Sequence, residues 1–432
     1  MEEDNKRIMI ISDHADPLAV IGGLEAGGQN IYVLELAKNL TKFNWRVDVF
    51  TRWDNPRKKQ INWINRKARV IRIKAGPIKR IPRDEIFQHL AEFTENIVKF
   101  KSQTNNNYCL IHSNYWMSGW ISLRLKKIYN IPLIQLFHSL GRIKYHALQN
   151  TDTQKMSSGY FTSDFMKNRL RVEQELFDNA DVVLASSPVE KKDMLKHYQA
   201  NNANIKIIPL GIDPKAFKPI NQMQARQHIN WPTEQKIILY VGRIEWRKGL
   251  GTLLYALGNL LTKKSFQPDE LSLKIVGGHP RSRAHNAEYY EFQHLRKIIS
   301  ELKLENYVRF LGLIKREKLP YYYSAANLLI APSYYEPFGL VPVEAMACAA
   351  PVIGSRVGGI KFTVKNQKTG FLVPARRYRA LANKMLVLLN SPDLQTSMGQ
   401  EAVSRVKSNF NNNILIRELN NLFKTIINKT KL

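Results

Sequence analysis

Apolar residues along the chain come in short runs separated by amphipathic, helix-spaced segments. In the first half the runs fall at residues 7–12, 46–51, 69–73, 108–112, 132–137 and 181–185. Several, such as Ile8-Met9-Ile10-Ile11, are apolar at successive positions and therefore on both faces. A strand needs that only when helices cover both sides of its sheet, as in parallel α/β architecture. The alternation predicts doubly wound α/β. After a Pro/Gly/Asp-rich stretch, residues 209–219, the pattern restarts at 237–241, 273–276, 308–311, 328–331 and 352–353. The expected organisation is a first domain over 1–212, a linker over 213–219 and a second domain over 220–411. In the closing segment, 412–432, Ile414, Leu415, Leu419, Leu422, Phe423, Ile426 and Ile427 recur at helical spacing. That segment is expected to pack back on the first domain.

Length agrees with two domains, because 432 residues exceed what one hydrophobic core usually serves. No stretch approaches the roughly 18 apolar residues of a membrane-spanning helix. Residues 1–7 are polar and lack an apolar signal core. Cys109 and Cys348 stand in different halves without metal-type spacing, and both are read as reduced core residues. The expectation is a cytoplasmic protein. The charge alters this picture: Lys plus Arg is 65 against 36 Asp plus Glu, a net +29. Nucleic acid or an anionic membrane surface, phosphorylated substrates, and a composition biased towards Lys, Asn and Ile each account for it. The basic residues are spread along the whole chain and form no arm or tail.

Three motifs carry candidate chemistry. Gly22-Gly23 and Gly27-Gly28-Gln29-Asn30 lie between the first strand and a helix over 31–40. Glycine pairs there let backbone N–H groups approach an anion at a helix N-terminus, though a flexible turn reads equally well. It is not a dinucleotide fingerprint, since G-x-G-x-x-G is absent. Gly242 then opens a turn carrying Arg243 and Lys248, which can direct two cations at a diphosphate. Finally, Glu336 and Glu344 bracket seven residues that begin Pro337-Phe338-Gly339-Leu340. The first is expected in a loop and the second on the first turn of a helix. A helix-dipole role explains one glutamate but not the whole pattern.

Residues 333–339 with Glu344, followed by Gly358-Gly359, resemble the E-x7-E signature of glycosyltransferase family 4. The likeness extends over nearly the whole chain. Residues 27–33, 112–119 and 137–144 resemble the branch holding sucrose-phosphate synthases and the mycothiol-pathway N-acetylglucosaminyl transferases that act on inositol phosphate. Residues 138–142 lean towards the former, and residues 115–116 and 178–181 towards the latter.

The resemblance implies the GT-B fold: two facing Rossmann-like, doubly wound domains around a central cleft. It implies a retaining transfer of a hexosyl unit from a UDP-sugar, UDP-glucose or UDP-N-acetylglucosamine, to a small phosphorylated sugar or polyol. Arg243 and Lys248 would hold the donor diphosphate, Glu344 the ribose, and Glu336 with His138 the donor sugar. Gly27, Gly28, Phe338, Gly339 and Leu340 would complete the donor site. Gln29, Asn30, Arg83, Tyr115, Ser139, Lys144 and Arg169 would bind the acceptor, with the three cations on its phosphate. The relatives carry Lys where this chain has Arg83, which weakens that carry-over. No cofactor and no metal is expected, because Asp-x-Asp is absent and the cations do the ion's work.

The alternative is an acceptor that is lipid-linked or a glycan, with peripheral association at the cytoplasmic membrane face. The net charge of +29 favours it, and the basic segment 123–129 is a candidate contact that reads equally as a solvated helix face. A basic nucleic-acid-binding protein is the remote alternative. It leaves E-x7-E unexplained and lacks any recognisable binding motif.

Overall fold

The computed structural model describes residues 6–19, 27–104, 106–148, 163–278 and 287–430. The chain forms two compact units, Met1–Ile208 with Asn413–Leu432, and Pro209–Asn412. Each has its own hydrophobic core.

The first unit is built on an eight-stranded sheet of order β3-β4-β2-β1-β5-β6-β7-β8. Its strands are β1 (Arg7–Ile11), β2 (Arg46–Arg52), β3 (Ile61–Asn65), β4 (Ala68–Ile73), β5 (Tyr108–Asn114), β6 (Leu133–Leu136), β7 (Val182–Ala185) and β8 (Ile205–Ile207). Ile8 to Ile11 of the central β1 are all fully buried, so both faces of that strand are covered, as its unbroken apolar run requires. Every pairing is parallel except β3 with β4. The edge strand β3 was not legible in the pattern: Asn62 and Asn65 break up its apolar residues, and Trp63 is largely exposed. The three-residue β8 is too short to register as a run.

The second unit carries a six-stranded, wholly parallel sheet of order β11-β10-β9-β12-β13-β14. Its strands are β9 (Lys236–Val241), β10 (Leu271–Val276), β11 (Val308–Gly312), β12 (Leu328–Ala331), β13 (Val352–Ser355) and β14 (Gly370–Val373). Residues 209–219, expected in part as a linker, belong to this unit. Phe217 is buried there against Tyr323, ring centres 6.3 Å apart, and beneath the Arg316 guanidinium.

The helix Asn412–Thr430 packs its apolar stripe into the first unit. Leu419 and Phe423 are buried, Phe423 sits edge-on to Trp45, and Trp45 Nε1 donates to Asn420 Oδ1 at 2.9 Å. Neither cysteine is in a disulfide. Cys348 is buried as expected. Cys109 is only half-buried, because it occupies the second position of β5, near the amino edge of the sheet. Among the described residues no helix is long and apolar enough to cross a membrane.

In each sheet the strand order reverses beside the first strand: β1 lies between β2 and β5, and β9 between β10 and β12. Loops leaving the carboxyl ends at such a switch point form a crevice suited to ligands. In the first unit these are the segments after β1, β5 and β6. In the second they are the segments after β9 and β12.

Candidate active site

In the second unit the loops after β9 and β12 interlock. Gly249 has φ +74°, and a Cβ there would lie 2.1 Å from the Pro332 carbonyl oxygen. The Tyr334 N–H donates to Arg247 O at 2.8 Å. This close approach brings Lys248 Nζ to 2.5 Å from Glu336 Oε2. Glu245 bridges Arg243 (2.6 Å) and Arg247 (2.7 Å). Three cations therefore stand among two carboxylates at the switch point, a patch that favours an anion. Burial pushes the Lys248 ammonium below its ordinary range, and Glu336 only partly offsets this. Burial raises the Glu336 carboxyl, but Lys248, Arg247 and Arg243 outweigh it and leave the carboxyl below its ordinary value.

Glu344 lies elsewhere than expected. The helix Leu340–Ala347 starts after Gly339, whose φ is +96°, so Glu344 falls beyond the first turn. Its carboxylate is buried, accepting from Arg316 Nη2 at 2.8 Å and from the Tyr323 hydroxyl at 2.9 Å. Phe338 is also buried, edge-on to Phe410, while Leu340 is half-buried at the helix start. Gly358-Gly359 supports the Glu336 loop. A Cβ at Gly358 would lie 2.1 Å from Glu336 O, and the Gly359 N–H donates to that same oxygen at 3.0 Å.

In the first unit two bulky residues at strand ends have positive φ: Tyr115 (+82°) after β5 and His138 (+57°) after β6. Such conformations persist only where the surroundings enforce them, and they cluster at functional sites. Arg169 is 1% exposed and ties the neighbourhood together. Its Nη2 donates to Ser139 O at 2.7 Å and Oγ at 3.2 Å, its Nη1 reaches the Tyr115 hydroxyl at 3.4 Å, and its Nε donates to Glu173 Oε1 at 2.7 Å. Tyr115, Ser139 and Arg169 thus converge.

His138 Nε2 is 3.0 Å from Asn114 Oδ1, and its ring meets Tyr32 edge-on at 5.3 Å. Desolvation first, then His112 and His14, pushes its pKa down to about 3. Gln29 donates to Ser12 Oγ and to Asn114 O, each at 3.3 Å. Asn30 is spent locally: its Oδ1 accepts from the Gly27 N–H and its Nδ2 donates to Asp16 O. Gly28 opens the helix Gly28–Leu40 and is exposed, whereas Gly22-Gly23 lies outside the described residues. Arg83 packs over the Phe165 ring, on the helix Asp164–Asn179 that also carries Arg169. Lys144 is half-buried on the helix Gly141–Leu148, which follows the His138 loop.

Two family profiles match. "Glycosyltransferase Family 4" covers residues 26–216 and "Glycosyl transferases group 1" covers residues 221–405. The chain is 32% identical over 405 residues to a D-inositol 3-phosphate glycosyltransferase of Corynebacterium glutamicum, spanning 93% of each chain. It belongs to glycosyltransferase family 4. Sucrose-phosphate synthase from Thermosynechococcus elongatus superposes with a TM-score of 0.88 at 36% identity, over 98% of this chain and 100% of that one. Anabaena HepE shares the fold alone, with a TM-score of 0.74 and 19% identity over 97% of this chain and 100% of that one. The two parallel-sheet α/β domains of this family 4 glycosyltransferase are those of the GT-B fold.

Several residues of this glycosyltransferase escaped the sequence reading. Glu173 is fully buried. It accepts from Arg169, from the Gly141 N–H through both oxygens (2.9 and 3.0 Å) and from the Tyr198 hydroxyl. The four-residue spacing of Arg169 and Glu173 on one helix was the available signal. Asp13 and His14 follow β1. Asp13 Oδ1 accepts from Ser118 Oγ at 2.6 Å, Asp13 Oδ2 holds His14 Nδ1 at 3.0 Å, and the His14 ring stands edge-on to Tyr115. Both line a small open hollow with Asp16, Arg52, Asp54 and Arg80. Arg316 and Tyr323, the partners of Glu344, carried no local signal.

Proposed function

We propose that this glycosyltransferase moves a hexosyl unit from a UDP-sugar to a small phosphorylated polyol or sugar with retention of anomeric configuration. The observation that carries the reading is the cation-rich pair of interlocked loops bearing Arg243, Lys248 and Glu336. Transfer breaks the bond between the anomeric carbon and the β-phosphate oxygen and forms one to an acceptor hydroxyl oxygen. The hydroxyl proton passes to the departing phosphate on the same face. Negative charge grows on the leaving diphosphate, and Arg243 and Lys248 stabilise it in a partly desolvated setting. Glu336 orients sugar hydroxyls, and Glu344, already fixed by Arg316 and Tyr323, is the ribose carboxylate. No metal is required in this scheme, because the cations are supplied by the protein.

A phosphorylated acceptor is favoured by two things. Arg169, Ser139 and Tyr115 converge in the first unit, and the relatives' names contain inositol 3-phosphate and sucrose-phosphate. The test is UDP release from UDP-glucose and UDP-N-acetylglucosamine, each crossed with free and phosphorylated sugars and polyols, with and without EDTA. The expected result is one donor with a phosphorylated small acceptor, unchanged by EDTA, and an α-configured product by NMR. Turnover only with lipid-linked acceptors, or only with added manganese, overturns it.

A further inference from the structure

Asn114, the last residue of β5, is fully buried, and its side-chain amide is constrained on both sides. Nδ2 donates to Ile11 O at 3.4 Å, and Oδ1 lies 3.0 Å from His138 Nε2. The reversed amide would set its oxygen against the Ile11 carbonyl, two acceptors facing one another. Oδ1 is therefore the atom that meets the histidine. An amide oxygen can only accept, so His138 Nε2 carries the proton.

The rest of the surroundings hold this arrangement. The Asn114 backbone carbonyl is held by Gln29 Nε2 at 3.3 Å. Tyr32 braces the imidazole edge-on, and its hydroxyl is fixed 3.1 Å from His112 Nε2. His138 makes no hydrogen bond through Nδ1 to any described residue.

We propose that Asn114 is a positioning residue for His138, fixing the Nε2-protonated tautomer so that Nδ1 is offered to substrate as a hydrogen-bond acceptor. Only the identity of the ligand rests on the glycosyl-transfer reading. The consequence is a division of labour. A neutral imidazole with a free Nδ1 lone pair takes the O–H of a sugar or acceptor hydroxyl and offers no donor to a phosphate oxygen. His138 thus reads hydroxyls and leaves the diphosphate to other groups. The groups facing it that could titrate are His112, His14 and Tyr32. The two histidines oppose its protonation, and Tyr32, whose own ionisation burial disfavours, stays neutral.

The test is a long-range ¹H–¹⁵N correlation spectrum of histidine-labelled, full-length protein at neutral pH, with His138 assigned by its loss in His138→Gln. The expected signature is a protonated-type Nε2 beside an unprotonated-type Nδ1. The opposite tautomer, or an imidazolium, overturns the proposal. In Asn114→Ala, folding checked by circular dichroism, His138 is expected to become a mixture of tautomers while His112 is unchanged. With the donor–acceptor pair active in the UDP-release assay, kcat should fall about tenfold or more with little change in KM for the acceptor, the size expected for a lost orienting contact. A folded Asn114→Ala protein that keeps the single tautomer and its kcat also overturns it. The spectrum needs no substrate, so failure of every donor–acceptor pair counts against the proposed reaction and not against the tautomer.

Discussion

Lys248 and Glu336 form an ion pair across two loops 88 positions apart in sequence, each side chain 17% exposed. Their geometry links stability to chemistry, because the groups proposed to hold the donor are also each other's counter-ions. Lys248→Met and Glu336→Gln should each lower turnover by roughly 30-fold or more, since losing one partner of a buried charge contact costs about 2–5 kcal/mol. The double variant should be thermally more stable than additivity of the singles predicts, because neither charge is then left alone. Turnover and melting temperature are measured on all four proteins. Near-normal turnover in either single variant removes the pair from the donor site.

Gly249→Ala tests the interlock itself. A Cβ there meets Pro332 O at 2.1 Å on a backbone with φ +74°, so the two loops must separate. A stability loss of about 1–3 kcal/mol is expected, in the range of strained backbone positions. Activity should fall with it. Gly27→Ala is the control: nothing lies within 4 Å of its Cβ, and the change should stay within about 0.5 kcal/mol. Equal melting temperatures for the two variants would contradict the packing.

Arg169 sets the third expectation. If its guanidinium helps hold an acceptor phosphate, the enzyme should prefer the phosphorylated acceptor by about a hundredfold in kcat/KM, since charged hydrogen bonds contribute roughly 1.5–3 kcal/mol each. Arg169→Lys keeps the charge but loses the fork, and should erase much of that preference while slow hydrolysis of the UDP-sugar continues. Ionic strength is held constant, because a chain of net charge +29 attracts any anion at low salt. Equal rates on matched free and phosphorylated acceptors would move the assignment to a neutral acceptor.

Stability should depend on pH through two histidines. Burial pushes His112, and desolvation with its histidine neighbours pushes His138, to about 3, against an ordinary value of 6.5. Between those limits the unfolded chain binds protons that the folded chain refuses. Stability is thus full above about pH 6.5 and falls as pH drops towards 3, by up to about 1.4 kcal/mol per pH unit for the fully buried His112. Urea midpoints at pH 7 and pH 5 measure this, and His112→Gln should flatten the slope. An unchanged slope in that variant would show that the protons bind elsewhere.

The sequence was most informative where physics is local. Each run expected as a strand became one, and Ile8 to Ile11, apolar on both faces, lies fully buried inside its sheet. β3 was missed because an edge strand needs only one covered face, and its Asn residues blur even that. The site divided in the same way. The spacing of Glu336 and Glu344 and the turn after Gly242 could be read directly. The Glu344 partners Arg316 and Tyr323 could not, because they reach it only through tertiary packing. Asn114 lay two residues past the expected strand run 108–112 and drew no role of its own, because its bond to His138 depends on the adjacency of β5 and β6.

The closing helix has a bearing on how the protein is made. Trp45 and His112 precede the second unit in the chain, yet Phe423 and Asn420, which cover or bond them, are synthesised only after it. Pro209–Asn412 is complete as a unit before that moment, while the unit begun first still lacks a side of its core. The usual order of N-terminal domain first is therefore inverted at the final step. The nascent first unit must wait, with Trp45 lacking Phe423 and Asn420, until synthesis of the second has finished.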